Sequence, residues 1–139
     1  MRLLGLDLGD ATIGVAVSDP LGLTAQGVCT IRRKKHSADM AELRRLTEEY
    51  NAEAFVLGLP LNLNGTRGPA VDKAESFADL LKKEFNLPVF FQDERLTTVA
   101  AHKALLENNT GRAKRKQVVD KLAAVFILQT YLDNPNTIK

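Results

Sequence analysis

An α/β domain with a mixed five-stranded sheet and helices on both faces is the fold the sequence predicts. Three observations predict it: aliphatic segments of alternating pattern open the chain, helical periodicity sets in after Ser37, and short β-rich runs then alternate with helical ones.

Arg2 to Leu8 alternates and is aliphatic, Ile13 to Ser18 is β-branched and small, and Ala25 to Ile31 continues in kind, so all three read as strands. Gly9-Asp10 is a tight hairpin signal between the first two, and Asp19-Pro20-Leu21-Gly22 a turn before the third, so the opening is an antiparallel meander. Met40, Leu43, Leu46 and Tyr50 then share one helical face, with Ser37 placed to cap the helix. Ala54 to Leu59 is a fourth strand. Gly68-Pro69 opens a second helix, whose Val71, Ala74, Phe77, Ala78, Leu81 and Phe85 recur at helical spacing behind a proline tolerated in the first turn. Val89-Phe90-Phe91 makes a short fifth strand. Thr97 or Thr98 caps a third helix reaching about Glu107, Asn108 to Gly111 interrupts it, and a last helix runs from about Gln117 to Leu132. A meander that passes into right-handed strand-helix-strand crossovers gives the strand order of the ribonuclease H-like fold; an ordinary doubly wound sheet is the competing arrangement.

At 139 residues with 45% apolar content, the chain is expected to form one domain spanning 1–139 around one core. A charged fraction of 26% suits a folded protein rather than a disordered one. The single cysteine, Cys29, excludes an internal disulfide and a thiol-rich zinc site, and reads as a small buried apolar residue. The segment from Met1 to Gly9 is interrupted by Asp7 and does not read as a signal peptide. The longest apolar run, Leu122 to Leu128, is too short to cross a bilayer. A cytoplasmic protein without a membrane partner is therefore expected. The net charge of +2 decides little, because nucleic-acid binding leaves its mark in clustered charge. Two clusters stand out, Arg32-Arg33-Lys34-Lys35 and Arg112 with Lys114, Arg115 and Lys116, each of which could equally be a solvated loop.

Three acids carry the chemical signal. Asp7 interrupts an apolar strand, where a carboxylate must be paired, hydrogen-bonded or metal-bound unless the strand end is frayed into water; Gly5 and Gly9 leave room beside it. Glu94 follows the fifth strand at its carboxyl end, the edge where ligands of open α/β sheets bind, although a surface pair with Arg95 would also explain it. Asp120 falls in the first turn of the last helix and borders its apolar stripe of Val119, Leu122, Ala123, Phe126 and Ile127, where a helix-dipole role is the competing reading. Hard oxygen donors that leave water on the ion suit Mg²⁺ or Mn²⁺ and phosphoryl chemistry, with Asp7 as the shared ligand if two ions bind. The two histidines, His36 and His102, are too few and too far from the acids for a zinc site.

Gly5-Leu6-Asp7-Leu8-Gly9 with Ile13-Gly14-Val15-Ala16, Gly58-Leu59-Pro60-Leu61-Asn62 through Gly65-Thr66, Asp93-Glu94-Arg95-Leu96-Thr97-Thr98, and Asp120 through Leu132 together resemble the YqgF/RuvX family over nearly the whole chain. Each motif alone is weak; four in this order are specific. The resemblance implies a ribonuclease H-like nuclease acting either on the 5′ end of precursor 16S rRNA in ribosome biogenesis or on branched DNA at Holliday junctions. It places the family's metal-binding and catalytic acids on Asp7, Glu94 and Asp120. The loop with Asn62, Asn64, Gly65, Thr66 and Arg67 looks like the substrate-facing loop, with Arg95 and Thr97 beside it. The basic stretch of Arg112, Lys114, Arg115 and Lys116 would hold the nucleic-acid backbone by charge. Many members carry basic residues shortly after Gly9, where Ala11 and Thr12 stand here. A monomer or a homodimer fits equally. Two other classes compete: an actin-like ATPase, suggested by Leu6-Asp7-Leu8-Gly9 but needing a second domain, and a noncatalytic nucleic-acid-binding module.

Overall fold

The structure is a computed structural model, described here for residues 1–62, 64–94 and 112–134, with side chains in the last helix described from Lys121 onward. Five strands form one sheet: β1 Leu3–Leu8, β2 Thr12–Ser18, β3 Ala25–Arg32, β4 Ala54–Leu59 and β5 Val89–Asp93, in the order β3-β2-β1-β4-β5. The meander β1-β2-β3 is antiparallel, while β4 pairs parallel to β1, and β5 parallel to β4. The helices are α1 His36–Tyr50, α2 Pro69–Phe85 and α3 Arg112–Asp133.

Alternation along the strands divides the core into two layers. Leu4, Leu6, Ile13, Val15, Phe55 and Leu57 point to the side covered by Met40, Leu43 and Leu46 of α1 and Ala74, Phe77 and Leu81 of α2. Leu3, Ala16, Ala54 and Val56 point the other way, onto Ala124, Ile127, Leu128 and Tyr131 of α3. The expected mixed sheet with helices on both faces is thus present. Small residues let α3 lie close: a methyl group on Gly5 would come within 2.7 Å of Leu128 Cβ, and one on Gly27 within 2.8 Å of Lys121 Cγ.

Several boundaries differ from the sequence reading, each for a physical reason. Ser37 does not cap α1. The cap position is Lys35, with no side-chain cap bond, and the buried Asp39 instead accepts the Lys34 N–H at 2.9 Å, tying down the chain just before the helix. The β1-β2 turn is tight, as expected, but is centred on Asp10-Ala11: Leu8 faces Ile13, and the Gly9 N–H donates to the Thr12 carbonyl at 2.8 Å. The fifth strand continues through Asp93, which pairs with Leu59, so Asp93 lies inside the sheet and Glu94 is the first residue beyond it. The last helix begins at Arg112 rather than near Gln117, because arginine, lysine and alanine are good helix formers even without an apolar stripe. Asp120 therefore sits about 12 Å along α3 from its first residue, beyond the reach of a first-turn dipole role. The buried stripe is Ala123, Ala124, Ile127, Leu128 and Tyr131, so Leu122 and Phe126 of the expected stripe lie at its margin, half-buried. Cys29 is half-buried on β3 instead of being enclosed. The expected helix from Thr97 or Thr98 to Glu107 lies outside the described residues.

Candidate active site

Asp7 is the penultimate residue of β1, paired with Gly14 of β2 and half-buried, so its strand is not frayed there. Alternation sends it to the α3 side of the sheet, the side of Gly5. Glu94 reaches the same place from β5. Its N–H donates to the Leu59 carbonyl at 3.2 Å, fixing the chain at the carboxyl end of β4 as it leaves the sheet. Gly58, one residue earlier in β4, makes the convergence possible. A Cβ at Gly58 would overlap the Glu94 Oε2 atom and come within 2.7 Å of Ile127 Cδ1, so the carboxylate occupies space that any side chain here would fill.

The two carboxyls hydrogen-bond to each other. Burial, above all, and then the neighbouring Asp7, its hydrogen bond and Asp93 push the Glu94 carboxyl up to about 8. Without a counter-charge, the pair holds a proton at neutral pH. Like-charged oxygens brought together in a partly desolvated pocket form a set that a hard cation would satisfy. That is the fit such a site requires, and it rests on oxygen donors alone.

The backbone of α3 brings Asp120 to the same level. Gln129 accepts from the Ala25 N–H at 2.9 Å, whereas Lys121 lies against Gly27, so α3 runs antiparallel to β3 and β1. Ala124 and Leu128 pack on Gly5. One helical turn toward the N-terminus advances about 6 Å, and two strand residues about 6.7 Å, which sets the Asp120 backbone level with Asp7.

The chain matches the family described as RuvX, Holliday junction resolvase, over residues 1–134. It belongs to the RuvX family. Relatives from Clostridium novyi and Clostridium botulinum strain Eklund 17B, both provisionally named pre-16S rRNA nuclease, are 58% and 59% identical to it over 134 and 133 residues. Each alignment covers 96% of this chain, with 99% and 97% of the respective relative. Among solved structures, Thermus thermophilus RuvC in complex with Holliday junction substrate has a TM-score of 0.59 at 16% identity, covering 100% of this chain and 98% of RuvC. The Fowlpox virus resolvase bound to Holliday junction DNA has a TM-score of 0.57 at 13% identity, covering 99% and 100%. These two likenesses confirm the ribonuclease H-like sheet, which the strand order already indicated. As a member of a nuclease family, the chain hydrolyses phosphodiester bonds.

In this RuvX-family chain, the loop after β4 leaves the same sheet edge, but its polar groups are already engaged. Asn62 Nδ2 donates to Thr66 Oγ1 at 3.0 Å, the Thr66 hydroxyl to Asn64 Oδ1 at 2.6 Å, and the Thr66 N–H to the same Asn64 oxygen at 3.0 Å. Gly65 takes the left-handed φ of 86° that the turn needs, and Arg67 is ion-paired with Glu75. The loop is thus an exposed, self-braced turn. Arg112, Lys114, Arg115 and Lys116 stand on the opening turns of α3 rather than on a loop, whereas Arg95 and Thr97 lie outside the described residues.

Two features of the site are not visible in the sequence alone. Gly58 stands out there only as part of a motif, because its role depends on a neighbour from another strand. Arg33 belongs to a basic run, yet it braces the β1-β2 turn. Its Nη1 donates to the Gly9 carbonyl at 2.7 Å, its Nε lies 3.9 Å from the buried Asp39 carboxylate, and its guanidinium lies 5.9 Å from the Phe77 ring centre. A cavity of about 660 Å³ opens beside this brace, between the Gly9-Asp10 turn and α2.

Proposed function

We propose that Asp7, Glu94 and Asp120 hold the divalent ion or ions of this nuclease, Mg²⁺ or Mn²⁺, and that its substrate is precursor 16S rRNA in the cytoplasm. The observation that carries the metal assignment is the Glu94 carboxyl lying over Gly58 against Asp7, where burial and the neighbouring acids push it up to about 8. Asp120 joins them by its level on α3. A divalent ion there supplies Lewis-acid stabilisation of charge building on the phosphate and a water nucleophilic at neutral pH.

The chain's own residues do the rest. With a cation balancing its charge, the Glu94 carboxylate would offer an oxygen that accepts from, and so orients, an attacking water. Gly58 leaves room for the Glu94 carboxylate to lie against the sheet beside Asp7, where a sugar-phosphate backbone can reach it. The α3 cations Arg112, Lys114, Arg115 and Lys116, with Arg67, Arg95 and Thr97 nearby in the family pattern, take the flanking phosphates by charge and hydrogen bonding. Asn62, Asn64 and Thr66 serve by shaping the turn whose Gly65 backbone faces the substrate.

The RNA assignment rests on relatives that share more than half of their residues with this chain across its length. Cleavage of a precursor 16S rRNA fragment and of a four-way DNA junction, compared side by side with Mg²⁺ and with Mn²⁺, tests it. Faster divalent-dependent cutting of the RNA at its 5′ flank is expected. Preference for the junction would move the assignment to branched DNA, and binding of either without cleavage would reduce the chain to a noncatalytic module.

A further inference from the structure

Next to the acids lies a buried amide that the carboxylate site leaves unexplained. Gln92 is 5% exposed and sits in β5 directly beside Gly58 of β4. Alternation places it on the same side of the sheet as Phe90, which stacks on Tyr131 of α3 at 5.6 Å, and as Glu94 beyond the strand end. Its Nε2 donates to the Asp93 carbonyl at 3.4 Å, which fixes the amide orientation, since the flipped form would set two acceptors against each other. Its Oε1 is fully buried and has no hydrogen-bond partner among the described residues.

Buried acceptors of this kind are rare, and each calls for a donor. Parallel strands lie about 4.8 Å apart, and the Glu94 carboxylate occupies the space over Gly58, so the Gln92 side chain borders the same small volume as the acids. An apolar residue would pack there without cost, and a third acid would add to the repulsion between Asp7 and Glu94. A neutral acceptor suits neither of those roles, but it suits a water whose hydrogens point away from a cation.

We propose that Gln92 is a positioning residue of the cation site, its Oε1 accepting a hydrogen bond from a water in the hydration shell of an ion held by Asp7 and Glu94. The inference rests on the metal assignment above. Mg²⁺ retains several waters, and losing a group that orients a metal's ligands costs about 10–100-fold in affinity.

Calorimetric titration of Mg²⁺ and Mn²⁺ into the intact protein, with thermal melting in chelator, tests it. Gln92→Met should weaken Mg²⁺ binding about tenfold or more, while the metal-free melting temperature stays equal or rises because an unsatisfied acceptor is gone. Should the Met variant fail to fold, Gln92→Asn, which shortens the reach but keeps the amide, should fold and still bind Mg²⁺ more weakly. Wild-type Mg²⁺ affinity in Gln92→Met or Gln92→Asn would overturn the role of Gln92 alone. Wild-type affinity in Asp7→Asn would overturn the carboxylate site and this inference with it.

Discussion

Gly58 shows how much one missing side chain can decide. The Glu94 carboxylate and the Ile127 side chain both occupy the space above it, so Gly58→Ala must push at least one of them aside. Overpacking of this kind costs about 1–3 kcal/mol, and moving Glu94 also disperses the acids. The variant should melt at lower temperature and bind Mg²⁺ more weakly than the parent, both readable by a melt with and without the ion. The importance of Gly58 is not legible in the sequence. That of Asp7 is, because a charge between Leu6 and Leu8 in an aliphatic strand has to be accounted for, whereas a glycine acquires meaning only once strand register and a neighbour's reach are known. The same holds for Gln92, which reads as an ordinary polar residue until its burial and its place beside Gly58 are seen.

Among the elements, the strands are legible almost to the residue, since β1 to β4 are short aliphatic and β-branched runs bounded by turn signals or helical periodicity, as strands covered on both faces are. Helix ends are less so. Ser37 offers a cap that the chain does not use, because Asp39 reaches back to the Lys34 N–H and lies near Arg33. Asp39→Ala should therefore remove the charge-assisted bond to the Lys34 N–H and loosen the Arg33 brace, destabilising the protein by about 1–3 kcal/mol in urea unfolding. The first turns of α3 read as a loop because Arg112 to Lys116 lack apolar periodicity, though their composition favours helix. Replacing Lys114 and Arg115 by alanine should lower nucleic-acid affinity and reduce the slope of log affinity against log salt by about one for each phosphate no longer neutralised. An unchanged slope would remove those residues from the substrate path.

For the molecule as a whole, the buried carboxyl pair links metal, pH and stability. The Glu94 carboxyl titrates near 8 when folded and near 4.5 when unfolded, so between these values the folded state binds the extra proton. Its contribution is fully present below about 4.5 and is lost as pH rises through 8. In chelator, the melting temperature should fall as pH is raised from about 5 to about 9, and Glu94→Gln should flatten that fall. Saturating Mg²⁺ should oppose it, because the ion takes the place of the proton. The sheet, the two-sided helical cover and the family can all be inferred from motif order. The proton held between Asp7 and Glu94 cannot, since it arises from distances that only folding creates.

The most direct test is single-turnover cleavage of the preferred substrate with and without Mg²⁺, by the parent chain and by Asp7→Asn, with binding measured in parallel. If the acids hold the ion, cleavage requires Mg²⁺ and falls at least about a hundredfold in Asp7→Asn, equivalent to about 2.7 kcal/mol of transition-state stabilisation, while binding is largely kept. Equal cleavage by the two proteins, or cleavage indifferent to Mg²⁺, would contradict it.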